Sequence, residues 1–223
     1  MINNNALEAI GFELRAILPE GTFFHLTDSV PLNYELYLEE SKHTGRMAEK
    51  RLNDFKASRY CAKISLKQLG IEQFAVLINP NGSPSWPDGV IGSISHTRNL
   101  CVAAVMKING IKSIGIDVET AKPIDLEILD LICSNKEIKR LKKQGDPMVL
   151  GKVMFSIKES IFKCFHPAFG EWLNFKDVDL KLDLVNNQYQ LNFLEKVNPT
   201  LKNCNVAGKW FLGNKFILSS CWI

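Results

Sequence analysis

The stretch that decides the fold is Ser113-Ile114-Gly115-Ile116-Asp117-Val118-Glu119. Its isoleucines and valine alternate with polar or small residues, a pattern that predicts a β-strand. A period of two places Asp117 and Glu119 on one face of that strand, opposite the apolar side chains. Two carboxylates at this spacing form either a solvated strand end or a pair of oxygen ligands suited to Mg²⁺ and a phosphate. The stretch alone leaves both interpretations open.

Composition limits the function classes. The chain has 223 residues, 46% hydrophobic and 23% charged, with a formal net charge of +3. This length buries a core as one large domain or two small ones, and the composition is that of a globular protein. The small positive charge suits an anionic ligand or an acidic partner and does not indicate a nucleic-acid binder.

The six cysteines are scattered, without a Cys-x-x-Cys pair or a histidine at metal-ligand spacing. They predict small core residues in a reducing compartment, and neither a zinc site nor a disulfide framework. The sequence has no signal-peptide pattern and no apolar run of membrane-spanning length. A cytoplasmic protein without a membrane span is therefore expected.

The first half is predicted as residues 1–120, a helix followed by a meander. Helical spacing runs over residues 39–69, ends at Gly70 and carries Arg46, Arg51 and Arg59. These arginines are either solvated surface residues or anion contacts. Residues 23–26 are predicted as a short strand and residues 100–106 as a nearly all-apolar strand. Further strands are predicted at 74–79, 90–95 and 113–119, with turn signals such as 79–84 and 96–99 between the strands.

The second half is predicted as residues 121–223, again helices first and strands afterwards. After a connection at residues 123–130 come a basic helix at 136–144 and a longer helix at 148–165. Strand patterns follow at residues 178–185, 189–194, 206–212 and 215–222. The repeated order of elements predicts an α+β fold of two similar halves, each a long helix packed on a small, mainly antiparallel sheet.

The helix at 148–165 carries a narrow polar stripe apart from its apolar one, formed by Lys152, Ser156, Glu159 and Lys163. Glu159 and Lys163 alone are typical of an ordinary i, i+4 ion pair. Together with the paired carboxylates of the central strand and the small, polar strand end Gly92-Ser93-Ile94-Ser95-His96, they supply what phosphoryl-type transfer needs: metal ligands, cations and a base.

Three motifs, Gly-Ser-Ile-Ser-His at 92–96, Gly-Ile-Asp-Val-Glu at 115–119 and Phe-Ser-Ile-Lys-Glu-Ser-Ile-Phe-Lys at 155–163, resemble those of the 4′-phosphopantetheinyl transferases of the long, two-half kind. Trp86-Pro87, with Arg51 and Arg59, is similar to the enterobactin synthase component D branch. The resemblance spans roughly residues 46–166 and implies two pseudo-symmetric α+β halves with the active site in the cleft between them.

The resemblance also implies the site. Asp117, Glu119 and Glu159 would hold Mg²⁺ against the pyrophosphate of coenzyme A. The coenzyme A contacts would be Arg51 and Arg59 at the 3′-phosphate, Ser95 and His96 at phosphate oxygens, Pro84 and Trp86 near the adenine, and Lys158 and Lys163 near the pyrophosphate. Lys158 points about 120° away from the Glu159–Lys163 stripe on an ideal helix, which favours Lys163 as the catalytic contact.

The implied reaction is transfer of 4′-phosphopantetheine from coenzyme A to a serine of an apo carrier protein. The carrier is a peptidyl, aryl or acyl carrier, and the branch resemblance favours siderophore-type nonribosomal peptide synthesis. Glu159 would accept the serine proton directly or through water, so that either Glu159 or a metal-bound water is the base, and Lys163 would stabilise or protonate the leaving group. The basic helix at 136–144 is either a solvated surface or a docking site for an acidic carrier. Two halves in one chain indicate a monomer.

Two alternatives stay open. One is a non-catalytic module that binds coenzyme A, another anion or nucleic acid, for which the convergence of three carboxylates has no explanation without a cation. The other is a Mg²⁺-dependent hydrolase of a pyrophosphate bond, which would release its product without a protein acceptor. Dependence of the reaction on a carrier protein separates both from the transferase.

Overall fold

The computed structural model of the protein describes residue 2, residues 4–98 and residues 100–223. The chain is α+β and divides into two compact units, Met1–Lys112 and Ser113–Ile223. Each unit has one long helix packed on a three-stranded antiparallel sheet. The predicted fold class is therefore confirmed.

The first unit is built around a helix whose inward-facing side chains are mostly small. Its elements in chain order are α1 (Asn4–Ile17), β1 (Phe23–Thr27), α2 (Leu38–Ser41), α3 (Glu49–Gln68), β2 (Val90–Thr97) and β3 (Leu100–Lys107). The sheet order is β1-β3-β2. Because α3 turns Ser58, Cys61, Ala62 and Ser65 inward, it packs closely on β3, and the Ser65 hydroxyl donates to the Ala103 carbonyl at 3.0 Å.

Three predictions in this unit need correction. The helix expected from residue 39 begins at Glu49, after the separate one-turn helix α2, so Arg46 precedes α3. Residues 74–79 form no regular strand. The Val76 amide donates to the Glu40 carboxylate at 2.9 Å, and a side chain thus replaces the neighbouring strand as its acceptor. In the turn expected at 96–99, β2 continues to Thr97 and Asn99 lies outside the described residues.

The second unit is centred on a 23-residue helix. Its elements are β4 (Ile114–Thr120), α4 (Leu126–Ile132), α5 (Asn135–Gln144), α6 (Pro147–Phe169), β5 (Val178–Asp183), β6 (Gln188–Phe193), α7 (Pro199–Lys202), β7 (Trp210–Leu212) and β8 (Phe216–Trp222). One sheet has the order β4-β8-β7, and β5 and β6 form a separate hairpin. The predicted apolar stripe of α6 is buried, from Leu150 to Phe165.

The structure moves the predicted boundary from residue 120 to residue 112. The central strand β4 was expected to complete the first meander, but it pairs with β8, with Asp117 opposite Ser219. The predicted connection at 123–130 contains most of α4, and the predicted end of α6 before Pro167 is wrong. Pro167 lies in the last turn, and the helix ends at Gly170, whose φ of 70° is left-handed.

None of the helices in the described part of the chain is both long enough and apolar enough to cross a lipid bilayer.

Candidate active site

The site in the second unit exists because the backbone of α6 lies directly against β4. A Cβ atom added at Gly115 would lie 2.0 Å from the Ser160 carbonyl oxygen and 2.6 Å from the Cys164 amide nitrogen, so only glycine fits there. Beside it, the Ser113 hydroxyl donates to the Cys164 carbonyl at 2.6 Å. This close approach brings the polar stripe of α6 to the acidic end of β4.

Two lysines of α6 pair with the two carboxylates of β4. The Lys163 ammonium lies 2.7 Å from Asp117 Oδ1, and the Lys152 ammonium lies 2.7 Å from Glu119 Oε2. Asp117 is buried at 4% exposure, so the interpretation of β4 as a solvated strand end is wrong. Partly buried ion pairs are screened less by solvent than surface pairs, and these two fix the directions of four charged side chains.

Glu159 differs from the other two carboxylates. It lies on α6 between the two lysines and is half-buried, and its carboxylate makes no hydrogen bond or ion pair with any other residue that the structure describes. Burial raises the pKa of Glu159, the nearby Lys163 opposes that rise, and the charges of Asp117 and Glu119 add to it. A half-buried carboxylate beside two others is suited to accept a proton or a cation.

The three carboxylates provide the hard oxygen donors that Mg²⁺ prefers. As they stand, however, they do not form a ready-made cage: within the described ranges no group of three or more His, Cys, Asp or Glu side chains is placed to hold a metal. In the structure, Asp117 and Glu119 pair with lysines instead. By donor chemistry alone, three carboxylates, one more than these two lysines, suit a divalent cation.

A cavity of about 570 Å³ opens beside Glu159. Its walls are mainly apolar and include Leu131, Phe162 and Trp172. Leu131 and Trp172 are 66% and 67% exposed, so they form an open rim. A mainly apolar space with Glu159 in its lining can receive a flexible, largely uncharged chain.

Lys158 is engaged inside the second unit, and its predicted contact with the pyrophosphate stays a prediction that these bonds disfavour. Its ammonium donates to the Ile132 carbonyl at 2.9 Å, to the Phe175 carbonyl at 2.8 Å and to Glu137 at 3.0 Å. Both charged side chains are buried, at 1% and 0% exposure. All three N–H donors are thus used within the second unit. The helical angle between Lys158 and the Glu159–Lys163 stripe already indicated this separation.

In the first unit, His96 and Ser95 extend from opposite faces of β2, as adjacent strand residues must. His96 remains 37% exposed, and its Nε2 lies 3.5 Å from Asp54 of α3. Ser95 is buried at 2% exposure. Of the two side chains, His96 is the one open to a ligand on the α3 side. Asp54 was not singled out in the sequence, although it lies between Arg51 and Arg59.

The two predicted arginines of α3 also differ. Arg51 is exposed, whereas Arg59 is buried at 6% exposure with its guanidinium 4.1 Å from the centre of the Phe55 ring. Burial lowers the pKa of Arg59 to about 10, and the charge of nearby Glu40 opposes that shift. Its buried Nε finds no hydrogen-bond partner among the residues described.

Trp86 and Pro84 occupy a loop that packs on β2. The Trp86 indole N–H donates to the Gly92 carbonyl at 2.9 Å, and a Cβ atom at Gly92 would lie 2.7 Å from the indole ring. The Pro84 carbonyl accepts from the Asn79 side chain at 3.2 Å. The glycine of the 92–96 motif therefore makes room for the tryptophan, whose partly buried indole packs against the core of the unit.

Two models of known protein families match the chain. The model described as the 4′-phosphopantetheinyl transferase N-terminal domain matches residues 39–106, and that of the 4′-phosphopantetheinyl transferase superfamily matches residues 113–214. The break between the two matches coincides with the division of the structure before Ser113. Together they cover most of the chain, which therefore belongs to the 4′-phosphopantetheinyl transferase superfamily, a family of holo-carrier-protein synthases.

Individual relatives agree with this assignment. The 4′-phosphopantetheinyl transferase Npt of Nocardia iowensis is 27% identical over 217 residues, 93% of this chain and 98% of the relative. The 4′-phosphopantetheinyl transferase Svp of Streptomyces mobaraensis is 34% identical over 151 residues, which cover 66% of this chain but only 61% of the relative. Enterobactin synthase component D of Escherichia coli K12 is 34% identical over 125 residues, 55% of this chain and 57% of the relative.

Proposed function

We propose that this protein transfers the 4′-phosphopantetheine group of coenzyme A to a serine of an apo carrier protein. The observation that carries the proposal is Glu159: a half-buried carboxylate with a raised pKa, one helical turn from the Lys163–Asp117 ion pair and beside an open apolar cavity. A base, a cation and a space for an arm-like group are what this transfer requires of a protein. The family assignment supplies the reaction class.

Coenzyme A would bind through its phosphates. Exposed Arg51 and half-exposed His96 are the side chains of the first unit best placed to meet phosphate oxygens, because a guanidinium binds two oxygens at once. Arg59 would contribute from a more buried position. For Ser95, Pro84 and Trp86 the resemblance remains the main support, with the backbone of their loop and strand as the contacting surface.

Asp117, Glu119 and Glu159 would hold Mg²⁺, whose charge when bound neutralises that of the pyrophosphate. The protein side chains carry the remaining steps. Glu159 takes the proton of the attacking serine hydroxyl, directly or through a water molecule. At the same time the serine oxygen forms a bond to the β-phosphorus of coenzyme A. The bond between that phosphorus and the bridging oxygen breaks, and 3′,5′-ADP leaves with its new charge near the Lys163 ammonium.

The carrier would dock on a basic surface of α5. This surface is formed by Lys136, Lys139, Arg140 and Lys143 of α5, together with Lys181. Arg140 is less available than expected, because it pairs with Asp179 and donates to the Leu180 carbonyl at 2.7 Å. Lys139 and Lys143 make no ion pair within the part of the chain described, and they present charge that an acidic carrier would recognise.

The proposed pathway and location rest on the named relatives and on the cysteines. The relatives named enterobactin synthase component D support a peptidyl or aryl carrier of siderophore synthesis, with acyl carriers as the alternative. Six cysteines without a disulfide suit the reducing cytoplasm. One chain with both units suits a monomer. No specific observation favours a nucleic-acid-binding module or a pyrophosphate hydrolase over the transferase.

Steady-state kinetics of two variants test the assignment of roles. We expect Glu159→Gln to lower kcat by about 10²- to 10⁴-fold with little change in coenzyme A affinity, because it removes a proton acceptor and keeps the shape. Arg51→Ala should raise the KM for coenzyme A with kcat nearly unchanged. Equal loss of turnover and affinity in Glu159→Gln would assign that residue to binding alone, and an unchanged KM would remove Arg51 from the site.

A further inference from the structure

Lys152 lies in the acidic site, yet no step of the proposed reaction uses it. It is seven residues before Glu159 on α6, which places both side chains on the same helical stripe. Its ammonium is 2.7 Å from Glu119 Oε2 and 4.7 Å from the centre of the Phe155 ring. Its side chain is only 15% exposed, less than the 25% of Lys163. Lys152 is therefore held in place by an ion pair and an aromatic face.

We propose that Lys152 is a positioning residue that acts as a built-in cation: it occupies Glu119 in the absence of metal, yields that carboxylate when a divalent cation binds, and so sets the affinity for the metal. This inference rests on the proposed function, because it takes Asp117, Glu119 and Glu159 as the metal ligands. It concerns the regulation of that site and adds a residue to it.

The balance of charges supports this role. Asp117, Glu119 and Glu159 together carry three negative charges when ionised, and Lys152 and Lys163 return two positive charges. The two ion pairs lower the mutual repulsion of the carboxylates, so the acidic site is stable without metal. A divalent cation bound to all three oxygens meets the repulsion of both ammonium groups, and at Glu119 it replaces Lys152 as the partner.

The two lysines are not equivalent in this respect. Lys163 pairs with the most buried carboxylate, Asp117, and has a proposed role at the leaving group. Lys152 pairs with Glu119, which is 22% exposed, at the more open end of β4. Of the two carboxylates, Glu119 is thus the more accessible to an incoming cation, and the exchange is expected at the Lys152–Glu119 pair. The aromatic face of Phe155 offers the displaced ammonium a second partner.

The test is direct metal binding by Lys152→Met, which keeps an unbranched apolar side chain over Phe155 and removes the charge. Mn²⁺ is titrated into the protein and its unbound fraction is measured by electron paramagnetic resonance, a readout independent of turnover. We expect Lys152→Met to bind Mn²⁺ about tenfold more tightly than wild type, because the ammonium that competes with the metal for Glu119 is removed. The thermal stabilisation by Mn²⁺ should increase in parallel.

Two controls make the result specific. Lys142→Met removes the same charge at an exposed position of α5, where the ammonium pairs with no described residue, and should leave Mn²⁺ affinity unchanged. In a Glu119→Gln background, Lys152→Met should have little further effect, because its partner is already lost. An unchanged or weaker Mn²⁺ affinity in Lys152→Met would overturn the proposal, as would absence of Mn²⁺ binding in both wild type and Lys152→Met.

Transfer activity is measured separately on the wild-type protein, so the two failures are distinguishable. If wild type modifies a carrier and Lys152→Met binds Mn²⁺ no more tightly, the role of Lys152 is wrong and the proposed function stands. If wild type modifies no carrier while Lys152→Met still binds Mn²⁺ more tightly, the competition is real and the proposed reaction is wrong.

Discussion

At the scale of single residues, replacement of Lys158 distinguishes a role in folding stability from a role in binding coenzyme A. Lys158→Met leaves a carboxylate buried at 0% exposure without its cation, and we expect a loss of about 3–5 kcal/mol of unfolding free energy. Urea unfolding, with the exposed Lys142→Met as the control, measures this loss. If Lys158→Met instead unfolds like wild type and binds coenzyme A poorly, the predicted pyrophosphate contact is right and the structural role is wrong.

Glu159 has a cost for folding that depends on pH. Its pKa in the folded protein lies above the ordinary 4.5, mainly through burial, so the ionised form is less stable in the folded than in the unfolded chain. That cost is fully present above the folded pKa, decreases as the pH falls through it, and vanishes below the unfolded value, where both states are protonated.

We therefore expect Glu159→Gln to raise Tm by a few degrees near about pH 7.5 in the presence of a chelator, and the difference to disappear near about pH 4. The exposed Glu127→Gln serves as the control and should not change Tm at either pH. Thermal unfolding followed by circular dichroism measures both variants. A Glu159→Gln variant less stable than wild type at neutral pH would show that the carboxylate is stabilised by a partner.

At the scale of elements, the packing of α6 on β4 assembles the site, and Gly115 permits it. Gly115→Ala places a methyl group 2.0 Å from a backbone oxygen of α6, so helix and strand must separate. We expect a loss of about 1–3 kcal/mol or more in unfolding free energy and a drop in turnover as Lys163 moves from Asp117. Gly45→Ala, with no atom within 4 Å of its added Cβ, is the matched control. Equal stability and activity of both variants would contradict this account.

Elements with a clear period were predictable from the sequence, and those held by long-range contacts were not. The apolar stripe of α6 and the nearly all-apolar run of β3 gave correct elements because their local pattern matches their burial. Helix α4 was missed because Leu126 and Leu131 are exposed, at 56% and 66%, and blur its amphipathic pattern. The segment 74–79 reads as a strand, but its Val76 amide bonds to Glu40, 36 residues earlier.

The roles of the site residues stay predictions, but some of their placement was predictable from the sequence. The period of α6 put Glu159 and Lys163 on one stripe, and in the structure Lys163 pairs with Asp117 of β4. Lys152 was visible on the same stripe, but its partner depends on which turn of α6 faces Glu119, and that depends on the close contact at Gly115. The assignment of β4 to the second unit likewise depends on its pairing with β8, about a hundred residues later in the chain.

At the scale of the whole molecule, surface charge is proposed to select the partner. Lys139→Glu with Lys143→Glu should lower kcat/KM for an acidic carrier by about tenfold at low salt and flatten its dependence on ionic strength, because electrostatic steering is lost. The double variant Lys107→Glu with Lys112→Glu makes the same change in net charge at exposed positions of the first unit. Identical salt dependence of the two double variants would exclude α5 as the docking surface.

The central claim is transfer to a carrier, and intact-mass spectrometry tests it most directly. An apo carrier protein is incubated with this protein, coenzyme A and Mg²⁺, with chelator and Glu159→Gln as parallel controls. The account predicts that the carrier gains the mass of one phosphopantetheine group, and that both controls suppress the gain. No gain on any peptidyl, aryl or acyl carrier by a protein that binds coenzyme A would contradict it.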